Sequence, residues 1–153
     1  MNIVELLTIK NKTIATMESC TGGGLANFIT NIEGASDVLR FSAVTYSNEY
    51  KIKMGVNKET IEKYTVYSIE VAKEMSKSIS LFSNSSYGVG ITGKINRADK
   101  NNITDNDSIV YVSIYDKDKD NYYTLTIEPF VGTRKDNKDM IIEKIVRFLS
   151  TII

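Results

Sequence analysis

Short apolar runs alternate with segments of helical periodicity along most of the chain. Five runs are predicted to be β-strands because they are rich in β-branched and aromatic residues, over 13–17, 40–46, 87–92, 108–115 and 122–130. Apolar residues at helical spacing predict helices over 2–10, 25–32, 47–54, 58–64, 68–82 and 139–152. This order predicts an α/β protein with three layers, in which helices cover both faces of a mixed sheet of about five strands.

The helix predicted after Ser68 has the clearest apolar stripe, and Ser68 is placed to cap it. Four residues are spaced to face the core: Ala72, Met75, Ile79 and Phe82. The charged run 116–121 joins the last two strands as a hairpin turn, which requires an antiparallel part of the sheet. By contrast, 94–107 is polar without periodicity and is predicted to be a long loop.

Length and composition are those of an ordinary globular protein. The 153 residues suit one domain over 1–153, since neither an internal repeat nor a linker divides them. Lysine plus arginine equals aspartate plus glutamate at 19 each, which gives no support for a nucleic-acid or membrane partner. The sequence shows no secretory signal and no apolar stretch of spanning length, and its single cysteine cannot form an internal disulfide. We therefore expect a cytoplasmic protein.

The absence of histidine limits the chemistry more than any other feature of the composition. It excludes Ser-His-Asp and Cys-His arrangements within one chain. It also removes the commonest zinc ligand, which a single cysteine cannot replace. We therefore expect neither a metal nor a cofactor, and any catalytic base must be a lysine, a tyrosine or a carboxylate.

Candidate chemistry is concentrated at 17–24, which reads M-E-S-C-T-G-G-G between the first strand and the next helix. Ser19, Cys20 and Thr21 place two hydroxyls and a thiol at this turn. Its backbone N–H groups and the partial positive charge at the helix start suit an anion. A helix cap followed by a flexible turn would use the same residues, and this stretch alone leaves both interpretations open.

Ser19 is the first candidate nucleophile, and a serine hydroxyl needs a neighbouring base to remove its proton. Lys51 lies about one turn into the helix that follows the strand end at Tyr46. Helical side chains lean toward the N-terminus, so Lys51 is expected to point back at the strand end and at Tyr46. A partly desolvated lysine there would have a lowered pKa and could act as the base. The alternative is a solvated lysine beside a packing tyrosine.

Four further residues have two interpretations each. Cys20 is either a rival nucleophile or a small buried filler. Glu18 either orients the lysine or the tyrosine, or faces solvent. Thr92 ends the third strand at the same sheet edge, where it either binds a ligand or forms a turn. Arg134 precedes the last helix and either binds a phosphate or carboxylate with two hydrogen bonds or is a surface charge.

Motifs in one order along nearly the whole chain resemble a known family. E-S-C-T-G-G at 18–23 and V-T-Y-S-N-E-Y-K at 44–51 carry most of the resemblance, and the rest comes from M-G-V at 54–56, Y-S-I-E-V-A-K-E-M at 67–75, I-T-G at 91–93 and G-T-R at 132–134. Together they resemble the C-terminal domain of the competence-damage-inducible protein A (CinA) family, also known as nicotinamide-nucleotide amidohydrolase. In the last motif Thr133 replaces the family's aspartate.

The resemblance implies an enzyme of NAD recycling. The implied reaction hydrolyses the carboxamide of nicotinamide mononucleotide to nicotinate mononucleotide and ammonia. Ser19 would be the nucleophile, and Lys51 and Tyr46 would activate it. The implied partner is a small-molecule nucleotide, and the sheet edges and apolar helices allow a homo-oligomer, which we expect to be a dimer.

The resemblance also implies ligand contacts from Thr92 and Arg134. The residues of the turn, Thr21, Gly22 and Gly23, would donate N–H groups to the phosphate or to the oxyanion, and the sequence leaves that choice open. After Gly93 the family has a loop rich in glycine and proline, whereas this chain has K-I-N-R-A-D-K-N-N over 94–102. This departure favours a second hypothesis, a catalytically silent ligand-binding or regulatory relative. A third, a partner-binding protein in DNA uptake or repair, rests on the family's name.

Overall fold

A computed structural model of the chain describes residues 1–96, 108–129 and 132–153. Within these ranges one sheet contains β1 (Ile14–Glu18), β2 (Leu39–Val44), β3 (Tyr87–Gly93), β4 (Val110–Asp116) and β5 (Asn121–Ile127). The strand order is β2-β1-β3-β4-β5. β1 pairs in parallel with β2 and β3, whereas β4 is antiparallel to β3 and β5. The predicted mixed sheet of five strands is therefore confirmed.

Helices lie on both faces of this sheet. They are α1 (Ile3–Ile9), α2 (Gly24–Thr30), α3 (Ala35–Val38), α4 (Asn48–Lys53), α5 (Lys58–Tyr64), α6 (Ile69–Ser83) and α7 (Arg134–Ile152). α1, α2, α3 and α7 share one apolar core with the sheet, and α6 forms the other. Alternate residues of β1 serve the two cores, since Ile14 packs in the first while Ala15 and Met17 pack in the second. The predicted three layers are therefore present.

Two glycines of β3 allow α6 to pack very close to the sheet. A Cβ added at Gly90 would lie 2.3 Å from the Ala72 carbonyl oxygen, and one at Gly88 would lie 2.0 Å from that of Ser76. The helix face that meets β3 therefore carries small residues, and Ser80 is fully buried at its last turn. This contact determines how closely β3 packs against α6. β3 also contributes residues to the candidate site described below.

The prediction that Phe82 faces the core is wrong, although Ala72, Met75 and Ile79 are fully buried as predicted. Phe82 is 67% exposed, and its ring contacts that of Phe41 on the edge strand β2 with a centroid distance of 5.3 Å. The reason is that Ser80 takes the position facing the sheet in the last turn of α6.

The last helix begins earlier than its apolar residues indicate. α7 starts at Arg134 rather than at 139, and the Thr133 hydroxyl caps it by accepting a hydrogen bond from the Asp136 N–H at 3.1 Å. Arg134 is therefore the first residue of α7, whereas the sequence placed it before the helix. The predicted loop over 94–107 lies outside the described residues except for its first three.

No helix in the described ranges combines the length and the apolar character that crossing a membrane requires.

Candidate active site

The carboxyl end of β1 lies between its two parallel neighbours. Thr45 at the end of β2 donates its N–H to the Glu18 carbonyl at 2.8 Å, and Ser19 donates its N–H to the Ile91 carbonyl in β3 at 3.0 Å. Ser19 is therefore held at the point where β1 leaves the sheet. This sheet edge, at the carboxyl ends of parallel strands, is where ligands bind in open α/β folds.

The Lys51 amine reaches Ser19. Its Nζ lies 3.0 Å from Ser19 Oγ and donates a hydrogen bond to the Thr45 carbonyl oxygen at 2.7 Å. α4 brings it there, because the Ser47 hydroxyl caps this helix and starts it directly after the strand end. Lys51 is only 2% exposed, and this burial lowers the pKa of its amine below the ordinary lysine value. The side chain is therefore buried, and the interpretation of Lys51 as a solvated lysine is wrong.

Tyr46 lies at the strand end and beside Ser19 and Lys51, as the sequence predicts. Its side chain is 65% exposed, and the Lys51 amine turns inward to Ser19 and Thr45 instead of toward this ring. The direction of Lys51 back toward the strand end is therefore confirmed, and the hydrogen bonds of its amine to described residues go to Ser19 and Thr45 rather than to Tyr46. Tyr46 stands at the opening of the site, and its catalytic role stays a prediction.

Glu18 has a role that neither of its sequence interpretations foresaw. Its carboxylate is fully buried and accepts hydrogen bonds from the N–H groups of Leu25 and Ala26, each at 3.0 Å, and from the Thr21 hydroxyl at 2.7 Å. It therefore caps α2 and fixes the turn. The first amides of α2, which the sequence offered to an anionic ligand, already bind this carboxylate. N-cap preferences concern the residue directly before a helix. They do not identify Glu18 as a cap, because Glu18 lies well before α2.

Replacing Glu18 with glutamine is expected to destabilise the fold by about 2 kcal/mol, because the new amide group would face a buried N–H and leave a donor unpaired. Urea unfolding of the two proteins measures this difference. Glu5→Gln is the matched control, since Glu5 forms an exposed capping box in α1 that glutamine also completes. Equal stability of Glu18→Gln and the native chain would contradict the capping role.

The glycines of the turn adopt the backbone that the sequence requires of them. Gly22 and Gly23 have φ values of +58° and +91°, where other residues would be strained. Gly22 donates its N–H to the Ser19 carbonyl and Gly24 to that of Thr21. Within this turn the amides of Cys20, Thr21 and Gly23 form no backbone hydrogen bond to a described residue.

Thr92 and Arg134 both lie at the site, and both already have partners. The Thr92 hydroxyl is buried and donates to the Val66 carbonyl at 2.7 Å. The Arg134 guanidinium donates to the Ile95 carbonyl. The structure therefore brings together both residues and Ser19, and their predicted ligand contacts remain predictions.

Two adjoining cavities meet around these residues. The smaller, about 140 Å³, contains the Ser19–Lys51 pair and is also lined by Thr92 and Tyr67. The larger, about 750 Å³, is a groove between α2 and α7. Three residues line both cavities: Cys20, Tyr46 and Arg134. A ligand that places one end beside Ser19 therefore has room for the remainder in the groove.

Two of the cavity-lining residues to which the sequence assigned no role are Tyr67 and Lys138. Tyr67 belongs to a motif that was recognised without a role, and it lies in the smaller cavity. Lys138 lines the groove, one turn after Arg134 on α7. If α7 is taken to begin at Arg134, then Arg134 and Lys138 lie one turn apart on the same face of the helix.

Cys20 has the character of a filler. It is buried against the apolar core, and burial raises the pKa of its thiol to about 12. A thiol with this pKa is protonated at neutral pH and is a poor nucleophile. The described residues contain no group of three or more histidine, cysteine, aspartate or glutamate side chains that could hold a metal ion.

The chain matches the family model of the CinA C-terminal domain over residues 1–153. It therefore belongs to the CinA C-terminal domain family. A CinA-like protein of Endomicrobium trichonymphae is 39% identical over 135 residues, which are 86% of this chain and 30% of that protein. A protein of Clostridium botulinum named as competence-damage inducible is 50% identical over 92 residues, 60% of this chain and 22% of that one. The chain thus spans less than a third of the length of these relatives.

Solved structures with the same fold include two competence-damage inducible proteins. That of Agrobacterium tumefaciens superposes with a TM-score of 0.86 at 23% identity, covering 97% of this chain and 90% of the other. That of Klebsiella pneumoniae gives 0.87 at 20% identity, covering 97% and 91%. At these identities the likeness establishes the fold alone.

Proposed function

We propose that this protein is an amidohydrolase that converts nicotinamide mononucleotide to nicotinate mononucleotide and ammonia, with Ser19 as the nucleophile. One observation carries the proposal: a buried lysine amine lies 3.0 Å from the Ser19 hydroxyl inside a cavity at the carboxyl ends of parallel strands. Membership of the family and its implied reaction supply the substrate. The names of the relatives do not state an activity.

Lys51 is suited to act as the base because its environment favours the neutral amine. A protonated amine has three donors and no acceptor, whereas a neutral one has a lone pair that can accept a proton. Lys51 Nζ donates hydrogen bonds to the Thr45 carbonyl and to Ser19 Oγ, and after loss of its own proton the same amine has a lone pair within 3.0 Å of the Ser19 hydroxyl. None of the ion pairs formed by the described residues includes Lys51, so no carboxylate there stabilises its charge.

The proposed reaction has two halves. Lys51 takes the Ser19 proton while Ser19 Oγ attacks the carboxamide carbon, and the carbonyl oxygen becomes an oxyanion. Lys51 then returns the proton to the nitrogen, the C–N bond breaks, and ammonia leaves an ester on Ser19. In the second half Lys51 takes a proton from water, the resulting hydroxide attacks the ester, and the proton returns to Ser19 as nicotinate mononucleotide leaves.

The free amides of the turn are proposed to bind the oxyanion rather than the phosphate. Cys20, Thr21 and Gly23 follow Ser19 closely in the chain, and their N–H groups form no backbone hydrogen bond to a described residue. Fixed N–H donors beside the reacting carbonyl stabilise the charge that develops on its oxygen. Of the two roles that the sequence leaves open for this turn, the proposal takes the oxyanion.

Aromatic rings at the cavity suit the cationic pyridinium ring of this substrate. Tyr46 and Tyr67 both line the smaller cavity, and the Lys94 ammonium lies 4.6 Å from the centroid of the Tyr67 ring. A cation over a tyrosine ring is attracted by its π-electrons.

The test of the proposal is product formation by the purified native protein. We expect ammonia and nicotinate mononucleotide in equal amounts from nicotinamide mononucleotide, measured by an enzymatic ammonia assay and by chromatography. A folded protein that forms neither product would contradict the amidase. If such a protein still bound the nucleotide, the silent ligand-binding relative would be the better account.

A further inference from the structure

We propose that Lys138 binds the phosphate of the substrate and thereby makes the protein selective for nucleotides over the corresponding nucleoside. The inference rests on the proposed amidase for the placement of the substrate. It assigns a role to a side chain on α7 that contacts neither Ser19 nor Lys51. A phosphate at Lys138 would lie in the groove between α2 and α7.

The sizes of the two cavities favour a phosphate position in that groove. The cavity around Ser19 has only about 140 Å³, which suits the ring and its carboxamide rather than the whole nucleotide. The adjoining groove of about 750 Å³ shares Cys20, Tyr46 and Arg134 with it. Ribose and phosphate are attached to the pyridinium nitrogen, so they extend away from the carboxamide and toward this groove.

Backbone amides at the starts of α2 and α7 already have acceptors within the protein. The Glu18 carboxylate already accepts from the first amides of α2, and a second anion there would be repelled by it. At α7 the Thr133 hydroxyl already accepts from the Asp136 N–H. We therefore assign the phosphate to a side-chain cation of the groove.

Among the cations that line the groove, Lys138 is the one with neither a hydrogen bond nor an ion pair to a described residue. Arg134 donates to the Ile95 carbonyl, and Lys135 forms an ion pair with Asp139 at 2.8 Å. Lys138 takes part in none of the ion pairs formed by the described residues. It is also partly buried, which reduces solvent screening of its charge.

Lys138 also points toward the catalytic turn. A Cβ added at Gly22 would lie 3.5 Å from the Lys138 Nζ, so the amine approaches the backbone three residues after Ser19. Glu143 is the second acid of the groove besides Asp139, and Arg134 and Lys138 together outweigh its charge. A phosphate in the groove would therefore contact Lys138, and Arg134 lies nearer the cavity that contains Ser19.

Kinetics of Lys138→Gln test the proposal. We expect KM for nicotinamide mononucleotide to rise by about 10- to 100-fold with little change in kcat, because a charge-assisted hydrogen bond to the bound phosphate is lost. The slower hydrolysis of nicotinamide riboside, which has no phosphate, should stay within about twofold of native. Lys138→Arg should restore most of the affinity, and Lys135→Gln is the matched control with little expected change.

Binding of the product nicotinate mononucleotide, measured by calorimetry, separates this inference from the amidase itself. Weaker binding by Lys138→Gln with an unchanged melting temperature supports the phosphate site even if the native protein hydrolyses nothing. Unchanged KM and unchanged product affinity in Lys138→Gln would overturn it while leaving the amidase intact. Equal losses of kcat/KM for the nucleotide and for the riboside in Lys138→Gln would also overturn the phosphate site. A native protein that does not bind nicotinate mononucleotide would overturn it as well.

Discussion

Lys51→Met is expected to lower kcat/KM for nicotinamide mononucleotide by about 10²- to 10⁴-fold, the range that a general base contributes. Methionine fills a similar volume and suits a buried position, so the protein should still fold. The Ser19 hydroxyl would then have no group to accept its proton, because its one side-chain partner in the described residues is the Lys51 amine. Steady-state kinetics and a melting curve measure both effects.

Lys51→Arg and the pH profile distinguish a base from a positive charge. A guanidinium keeps its proton at any accessible pH, so the arginine variant should be as inactive as the methionine variant. In the native protein kcat/KM should fall as pH drops below the lowered pKa of Lys51, because protonation removes the lone pair. An active arginine variant, or a native rate that rises toward acid pH, would contradict the base.

Gly90→Ala is expected to destabilise the protein by about 3 kcal/mol or more, at the upper end of the range for overpacked cores. The new Cβ would lie 2.3 Å from the Ala72 carbonyl oxygen, 2.7 Å from the Ser76 nitrogen and 2.8 Å from Met75 Cβ. Two of these atoms belong to the backbone of α6, so the helix or β3 must move. Movement of β3 would also displace Ile91, whose carbonyl holds the Ser19 N–H.

Gly24→Ala is the matched control for this substitution. Its new Cβ would meet only side-chain atoms within the close range, two carbons of Ile142 at 3.3 Å, and this side chain can adjust. We expect its stability to change by less than about 1 kcal/mol. Urea unfolding of the three proteins measures the differences. Equal stability of Gly90→Ala and Gly24→Ala would contradict the conclusion that the close packing of α6 on β3 requires glycine at position 90.

Local signals in the sequence located the central pair of the site. The Ser47 cap fixed where α4 begins, and the position of Lys51 one turn later fixed the direction of its side chain. The glycine turn after β1 fixed Ser19 at the strand end. Because each signal acts over a few residues, the sequence could place both side chains at one sheet edge without any knowledge of the sheet's order.

Features that depend on distant partners were not predictable in this way. The role of Glu18 requires the amides of a helix that begins well after it. The start of α7 was hidden because its first turn has no apolar residue, so periodicity shows the helix only later. Phe82 has the same spacing as the true core residues, and only the position of Ser80 against β3 excludes it from the core.

The measurement that tests the central claim most directly is ammonia release from nicotinamide mononucleotide by the native protein, Ser19→Ala and Cys20→Ala, assayed side by side. The account predicts release by the native chain, about 10³-fold less or none by Ser19→Ala, and near-native release by Cys20→Ala, because its buried thiol is protonated. Undiminished release by Ser19→Ala would contradict the serine nucleophile, and loss confined to Cys20→Ala would transfer the role to the thiol.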